Sequence, residues 1–156
     1  MIVIDDTAFP KQGRHSGGVA RQYAATLGKP DTCQVAVALH YAAPKGDSPL
    51  ALRLFLPEPW IDQPERMQAV RVPPAFQQAR TKEQLARELL DQVRSEGLLH
   101  HAVVADAGDG LSVDFRGGLA ERGESSGVGV TGKEAVVAEP PTGLGRACGH
   151  APRSAT

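Results

Sequence analysis

The chain has little besides aliphatic side chains from which to build a core. Only two cysteines, Cys33 and Cys148, occur in 156 residues. They lie far apart, and neither has a Cys or His partner at metal-ligand spacing. That excludes a disulfide-stapled scaffold and a zinc-finger type of site, and both cysteines read as reduced thiols of a cytoplasmic protein. Aromatic residues are scarce at 4%, while hydrophobic residues reach 41%. The core must therefore rest on Val, Leu, Ile and Ala, and the length suits one domain able to bury it. Excess charge of either sign is missing too: the formal net charge is -1. That balance excludes a global pull toward nucleic acid or an anionic membrane, so any anion binding must come from a local patch. No apolar stretch approaches the ~20 residues of a membrane span, and no secretory leader pattern is present. The expectation is a soluble cytoplasmic protein without a membrane partner.

What is present is an alternation of strand-like and helix-like segments. Residues 2–6, Ile-Val-Ile-Asp-Asp, read as a short buried strand stopped by paired carboxylates. Phe9 to Gly28 reads as loop at first and carries a basic run, Lys11, Arg14, His15 and Arg21. Cys33 to Ala42 and Leu50 to Glu58 read as two strands joined by a turn at 45–49, an antiparallel hairpin. Residues 57–80 hold five prolines and the single tryptophan, Trp60, and read as an irregular connection. Thr81-Lys82-Glu83-Gln84 has the spacing of a capping box. It opens a helix whose stripe is Leu85, Leu89, Leu90 and Val93, ending at Gly97. Ala102 to Ala105 is another apolar run ending in a carboxylate, Asp106, and a further helix is expected from Ser112 to Arg122. Residues 127–137 suit a last strand weakened by glycines. From Ala138 onward, Pro, Gly and Ala dominate, and a disordered tail over 138–156 is expected beside a folded 1–137. The order predicts an α/β fold with a mixed sheet and flanking helices.

In open α/β sheets ligands gather beyond the carboxyl ends of strands. Asp6 and Asp106 both stand at such ends, and they converge if their strands are neighbours. Two desolvated carboxylates repel each other, and a divalent cation relieves that repulsion. Mg²⁺ suits one or two carboxylates with water and phosphate completing its shell. Two such ions about 3.5–4 Å apart drive in-line phosphoryl displacement. Strand-terminal Asp is also ordinary turn chemistry. The basic run could meet phosphates, or be a solvated loop. Trp60 could stack on a base, but a lone Trp in such a segment more often packs on the core. His100 and His101 lack ligand spacing and read as surface residues.

Several blocks, in order, resemble the DDE transposases of bacterial insertion sequences. These are "IDDTAFPKQGRHSGGVARQYAATLGK" (4–29), "CQVAVALHYA" (33–42), "LRLFLPEPWIDQPERMQAVRVP" (52–73), "RTKEQLARELLDQVRSEG" (80–97) and "VVADAGDG" (103–110). They cover most of residues 2–133. The resemblance implies an RNase H-like fold and Mg²⁺- or Mn²⁺-dependent strand cleavage and joining of DNA at transposon ends. It places the first two catalytic, metal-holding aspartates on Asp6 and Asp106, with Asp5 the less favoured choice for the first. The basic run Lys11, Arg14, His15 and Arg21 supplies the candidate DNA-binding residues. The pattern departs from the family at Asp109, where the family usually has Tyr. The family's third acid, a glutamate on a later helix, has no counterpart: Glu134 and Glu139 stand in strand-like and Pro-rich context. The expectation is thus a truncated catalytic domain, incomplete at its C-terminal end and without the family's N-terminal DNA-binding region. It would be inactive alone, and could act as a remnant that binds DNA, itself or full-length transposase.

A haloacid-dehalogenase-like phosphatase is the competing enzyme reading, since "IVIDDT" and "GDGLSVD" (108–114) are similar to its acidic motifs. Thr7 stands two residues after Asp5, where that family carries its acid/base aspartate.

Overall fold

The computed structural model describes residues 1–106 and 112–129. Among them, six strands form one mixed sheet. β1 is Ile2–Pro10, β2 Ala20–Ala24, β3 Lys29–Ala43, β4 Gly46–Leu54, β5 Val103–Ala105 and β6 Ser126–Val128. Four helices accompany them: α1 Glu58–Ile61, α2 Pro64–Ala69, α3 Lys82–Ser95 and α4 Val113–Glu121. The sheet runs β2-β3-β1-β5-β6, with β4 also on β3. β3 pairs antiparallel with β1, β2 and β4, and β5 pairs parallel with β1 and β6. Four strands paired antiparallel about β3, continued by the parallel strands β5 and β6, make a mixed-sheet α/β fold compatible with the RNase H-like type.

Alternation along the strands sorts the two faces. Ile2 and Ile4 of β1, Val37 and Leu39 of β3, and Val103 and Ala105 of β5 point to one face. There they meet Leu85, Ala86, Leu89, Leu90 and Val93 of α3, with Phe115 and Leu119 of α4. The leucine stripe foreseen for α3 is thus its buried stripe. Thr81 caps α3 as the sequence predicts: its hydroxyl accepts from Gln84 N–H, and the Gln84 side chain accepts from Thr81 N–H. Ser112 Oγ accepts from Phe115 N–H at the start of α4. Arg122 clasps the two helices with paired bonds to Asp91, 2.7 and 2.6 Å. Its guanidinium holds the Asp91 carboxyl below the usual carboxylate range. Thr81→Ala should remove the bond accepted by the hydroxyl, leave the backbone N–H of residue 81 to the Gln84 side chain, and cost about 1 kcal/mol; a urea melt of the variant checks this.

The structure corrects the sequence reading at several places. β1 does not stop at Asp6 but runs to Pro10, because β3 pairs with it from Tyr41 to Cys33. The segment after it is not all loop, since Ala20–Ala24 forms β2 on the first part of β3. The hairpin is present, but its turn falls at Pro44-Lys45, and the β3–β4 register shifts between Leu39 and His40. Leu52 is 58% exposed, while Leu50, Ala51 and Phe55 pack against the main core. The Pro-rich connection contains α1 and α2, short helices with proline in their first turns. His100 is not a surface residue: its side chain is 8% exposed and bonds Glu124 Oε2 at 2.8 Å. The last strand is described only over Ser126–Val128. The rest of that predicted strand, Cys148, Asp109, Glu134, Glu139 and the expected boundary after residue 137 lie outside the described residues. No helix is long and apolar enough to cross a membrane among the described residues.

A second, smaller cluster gathers at the end of β4. Trp60 and Met67 of α1 and α2 bury themselves with Val19 and Leu56, and Leu54, Ile61, Val70 and Val72 pack around them. This cluster pins the loop 11–19. Trp60 Nε1 donates to the Val19 carbonyl at 2.8 Å, Gln34 Nε2 to that of Gly17 at 2.6 Å, and Arg66 to that of Arg14 at 2.8 Å. Gly18 has φ +73°, and a Cβ there would stand 2.7 Å from the Phe55 carbonyl oxygen. Only glycine lets the loop pass so close to the end of β4.

Candidate metal centre

Asp6 lies where β1 and β5 part. Their parallel pairing ends at Ile4↔Ala105. Asp6 follows two residues after Ile4, still paired with Val37 on the β3 side. Asp106 comes directly after Ala105. The parallel pairing of β1 and β5 therefore brings the two sequence-predicted aspartates to one end of adjacent strands. Their charges act on each other, for Asp106 is one of the groups that push the Asp6 carboxyl upward.

The side of the strand settles which of the paired acids belongs to the site. Asp6 shares the face of Ile2 and Ile4, beneath α3. Asp5 falls on the other face by alternation and is exposed. Its Oδ1 accepts from the Asp6 N–H at 2.8 Å, which braces the backbone from behind. A phosphatase nucleophile at Asp5 would thus point away from the cleft between β1 and β5.

Asp6 is the most perturbed carboxylate of the site. Its side chain is 27% exposed. Burial pushes its carboxyl above the ordinary value; Lys82 counters by hydrogen bond and charge, and Asp106 and Asp5 add to the rise. The Lys82 ammonium is bonded to Asp6 Oδ2. The other oxygen, Oδ1, is buried and has no hydrogen-bond partner among the described residues. A buried carboxylate oxygen left so is costly. That orphan is the feature that fits a bound cation: it offers a hard oxygen donor beside a second carboxylate.

Lys82 was missed by sequence reasoning, although the capping box had already placed it at the first position of α3. In this topology α3 leads into β5, so its N-terminus lies over the carboxyl ends of β1 and β5. A capping-box residue there was the available signal. No group of three or more His, Cys, Asp or Glu able to hold a metal occurs among the described residues. Among the described residues two acids come together here, Asp6 and Asp106.

The basic residues stand apart from this centre. Lys11, Arg14, His15 and Arg21 are all exposed, and none is among the charges that act on Asp6. Lys11, Arg14 and His15 follow the end of β1 on the pinned loop. Arg21 is paired with Thr32 and, by alternation, lies on the face away from Asp6. Trp60 is fully buried and does not offer a face to a base.

A family model described as DDE superfamily endonuclease matches residues 1–156, the whole chain. No curated protein and no solved structure matches. The chain belongs to the DDE endonuclease family, and it carries a DDE transposase-like nuclease domain, whose substrate is DNA.

Proposed function

We propose, from that membership, that this chain is catalytic-core sequence of an insertion-sequence transposase, with Asp6 and Asp106 as its first two metal-holding acids. The observation that carries the reading is the buried Oδ1 of Asp6, which has no hydrogen-bond partner among the described residues, at the point where β1 parts from β5. Bound by these carboxylates, Mg²⁺ or Mn²⁺ supplies the Lewis acidity for in-line displacement at a DNA phosphate. The chain's own residues do the rest. Asp6 is held on the helix-covered face by its place in the sheet and by the Asp5 brace. Lys11, Arg14 and His15 offer cations to the DNA backbone from a loop already fixed by Trp60, Gln34 and Arg66, so that little ordering entropy remains to be lost on binding.

Asp6 and Asp106 are the two acids that the described residues bring to this centre, and the expected activity is set by them. We infer that the chain alone cuts DNA at most feebly, and that binding to transposon-end DNA or to other transposase copies is what it retains. With a net charge of -1, that DNA binding should be weak and should fall steeply with salt. The test is plasmid nicking in Mn²⁺ or Mg²⁺ by wild type and Asp106→Asn, paired with a gel shift at two salt concentrations. The expected result is a salt-sensitive shift and no nicking above background by folded wild type. Nicking that disappears in Asp106→Asn would overturn the inactivity and leave the nuclease assignment standing. Hydrolysis of small phosphomonoesters that is lost in Asp5→Asn would favour the phosphatase instead.

A further inference from the structure

Lys82 is the first residue of α3. A cation in the first turn of a helix stands against the positive end of the helix dipole, so its own helix does not favour it there. A lysine at such a position can usually extend into water. Here the ammonium turns inward instead. It lies 5.7 Å from the centroid of the Phe55 ring and bonds Asp6 Oδ2, with the side chain 34% exposed. The two oxygens of Asp6 are therefore unequal: one already has a cation from the chain, and the other is buried with no hydrogen-bond partner among the described residues.

We propose that Lys82 is a resident counter-ion of the metal centre, which holds the Asp6 carboxylate in place without metal and competes with a divalent cation for it. The proposal rests on the reading of Asp6 as a metal ligand. A dication at this carboxylate meets the repulsion of the ammonium bonded to it, weakened by the solvent that reaches this partly exposed pair. Its affinity is held down by a charge that α3 carries. Removing that charge while keeping the length of the stem should raise metal affinity about tenfold at neutral pH. Lys82 is in this view a positioning residue, and arginine in its place should preserve the competition.

The experiment is direct Mn²⁺ binding, read from the paramagnetic resonance of the free ion, on the full chain at neutral pH. Wild type, Lys82→Met, Lys82→Arg and Asp6→Asn are compared, with circular dichroism to show that each is folded. Support is a Lys82→Met protein that binds Mn²⁺ about tenfold tighter, a Lys82→Arg protein close to wild type, and loss of binding in Asp6→Asn. Should Lys82→Met fail to fold, Lys82→Gln carries the same expectation. Lys82→Met binding equal to or weaker than wild type, with Asp6→Asn still abolishing it, overturns the counter-ion and leaves the metal centre standing. No Mn²⁺ bound by any of the proteins overturns both.

Discussion

Trp60→Ala is expected to cost about 3–5 kcal/mol of stability, a large share of the ~5–15 kcal/mol of an ordinary domain. Trp60 is the largest fully buried side chain. It fills the second cluster with Met67, Val19 and Leu56, a cluster separate from the one that holds the leucines of α3. The prolines around it leave α1 and α2 only one turn or so each, so neither can hold its place by its own helix. Truncation would empty the cluster and take away the stacking surface of the Arg66 guanidinium, 3.8 Å from the ring centroid. It would also leave the Val19 carbonyl without the indole donor. Trp60→Phe keeps most of the volume and loses that bond, for about 1 kcal/mol. Urea midpoints of the two variants measure both effects. A Trp60→Ala loss below about 1 kcal/mol would mean that the cluster does not support the fold. Amide exchange should also speed up over residues 11–19, because the carbonyls of Arg14 and Val19 are tied to α2 and α1.

The main core was legible because its signals are local and redundant. Thr81 and Gln84 mark the start of α3 by chemistry that needs no tertiary partner. The spacing of Leu85, Leu89, Leu90 and Val93 then fixes its buried face. β2 was not legible, since Ala20–Ala24 has no apolar alternation and is a strand only because the first part of β3 offers it a ladder. The inward face of β4 was obscured for a similar reason. The regular leucines at 50, 52, 54 and 56 suggest one buried row, but the register shift at Leu39 and His40 leaves Leu50 as the extra residue; Leu50, Ala51 and Phe55 pack against the main core, Leu54 and Leu56 join the second cluster, and Leu52 faces solvent. A bulge is set by pairing, and pairing is not written in one strand alone.

The candidate site divides along the same line. Asp6 and Asp106 could be picked out because each ends an apolar run, and a parallel crossover brings such ends together. The sense in which Asp6 is terminal was not visible: β1 continues to Pro10 against β3, and what ends near Asp6 is its pairing with β5. Lys82 escaped notice because its role depends on the direction of α3 across the sheet. His100 escaped because its partner Glu124 is 24 residues away, beyond a strand and a helix. Long-range polar pairs of this kind leave no periodic trace.

Asp6→Asn is expected to abolish Mn²⁺ binding and to change how the metal-free chain responds to pH. The wild-type carboxyl is raised above its ordinary value of 3.8, chiefly by burial, with Lys82 opposing and the charges of Asp106 and Asp5 adding to the rise. Between the ordinary and the raised value the folded chain keeps a proton that the unfolded chain has lost. Stability must fall as pH rises through that window. The contribution is fully present below the ordinary value and is gone above the raised one. Asparagine does not titrate, so the stability of Asp6→Asn relative to wild type should climb as pH passes from acid to neutral, and urea midpoints at several pH values follow that difference. Loss of the Lys82 partner works against the gain, but it is softened because the ammonium is partly exposed and can turn to water. A difference that stays flat or falls with pH would show that Lys82, not burial, governs Asp6. With metal the order should reverse: Mn²⁺ that binds only the folded wild-type site should raise its midpoint with the logarithm of the free ion concentration above Kd, while Asp6→Asn stays unmoved. Both effects together, a carboxylate that weakens the empty fold and strengthens the loaded one, would mark Asp6 as placed for a ligand and not for packing.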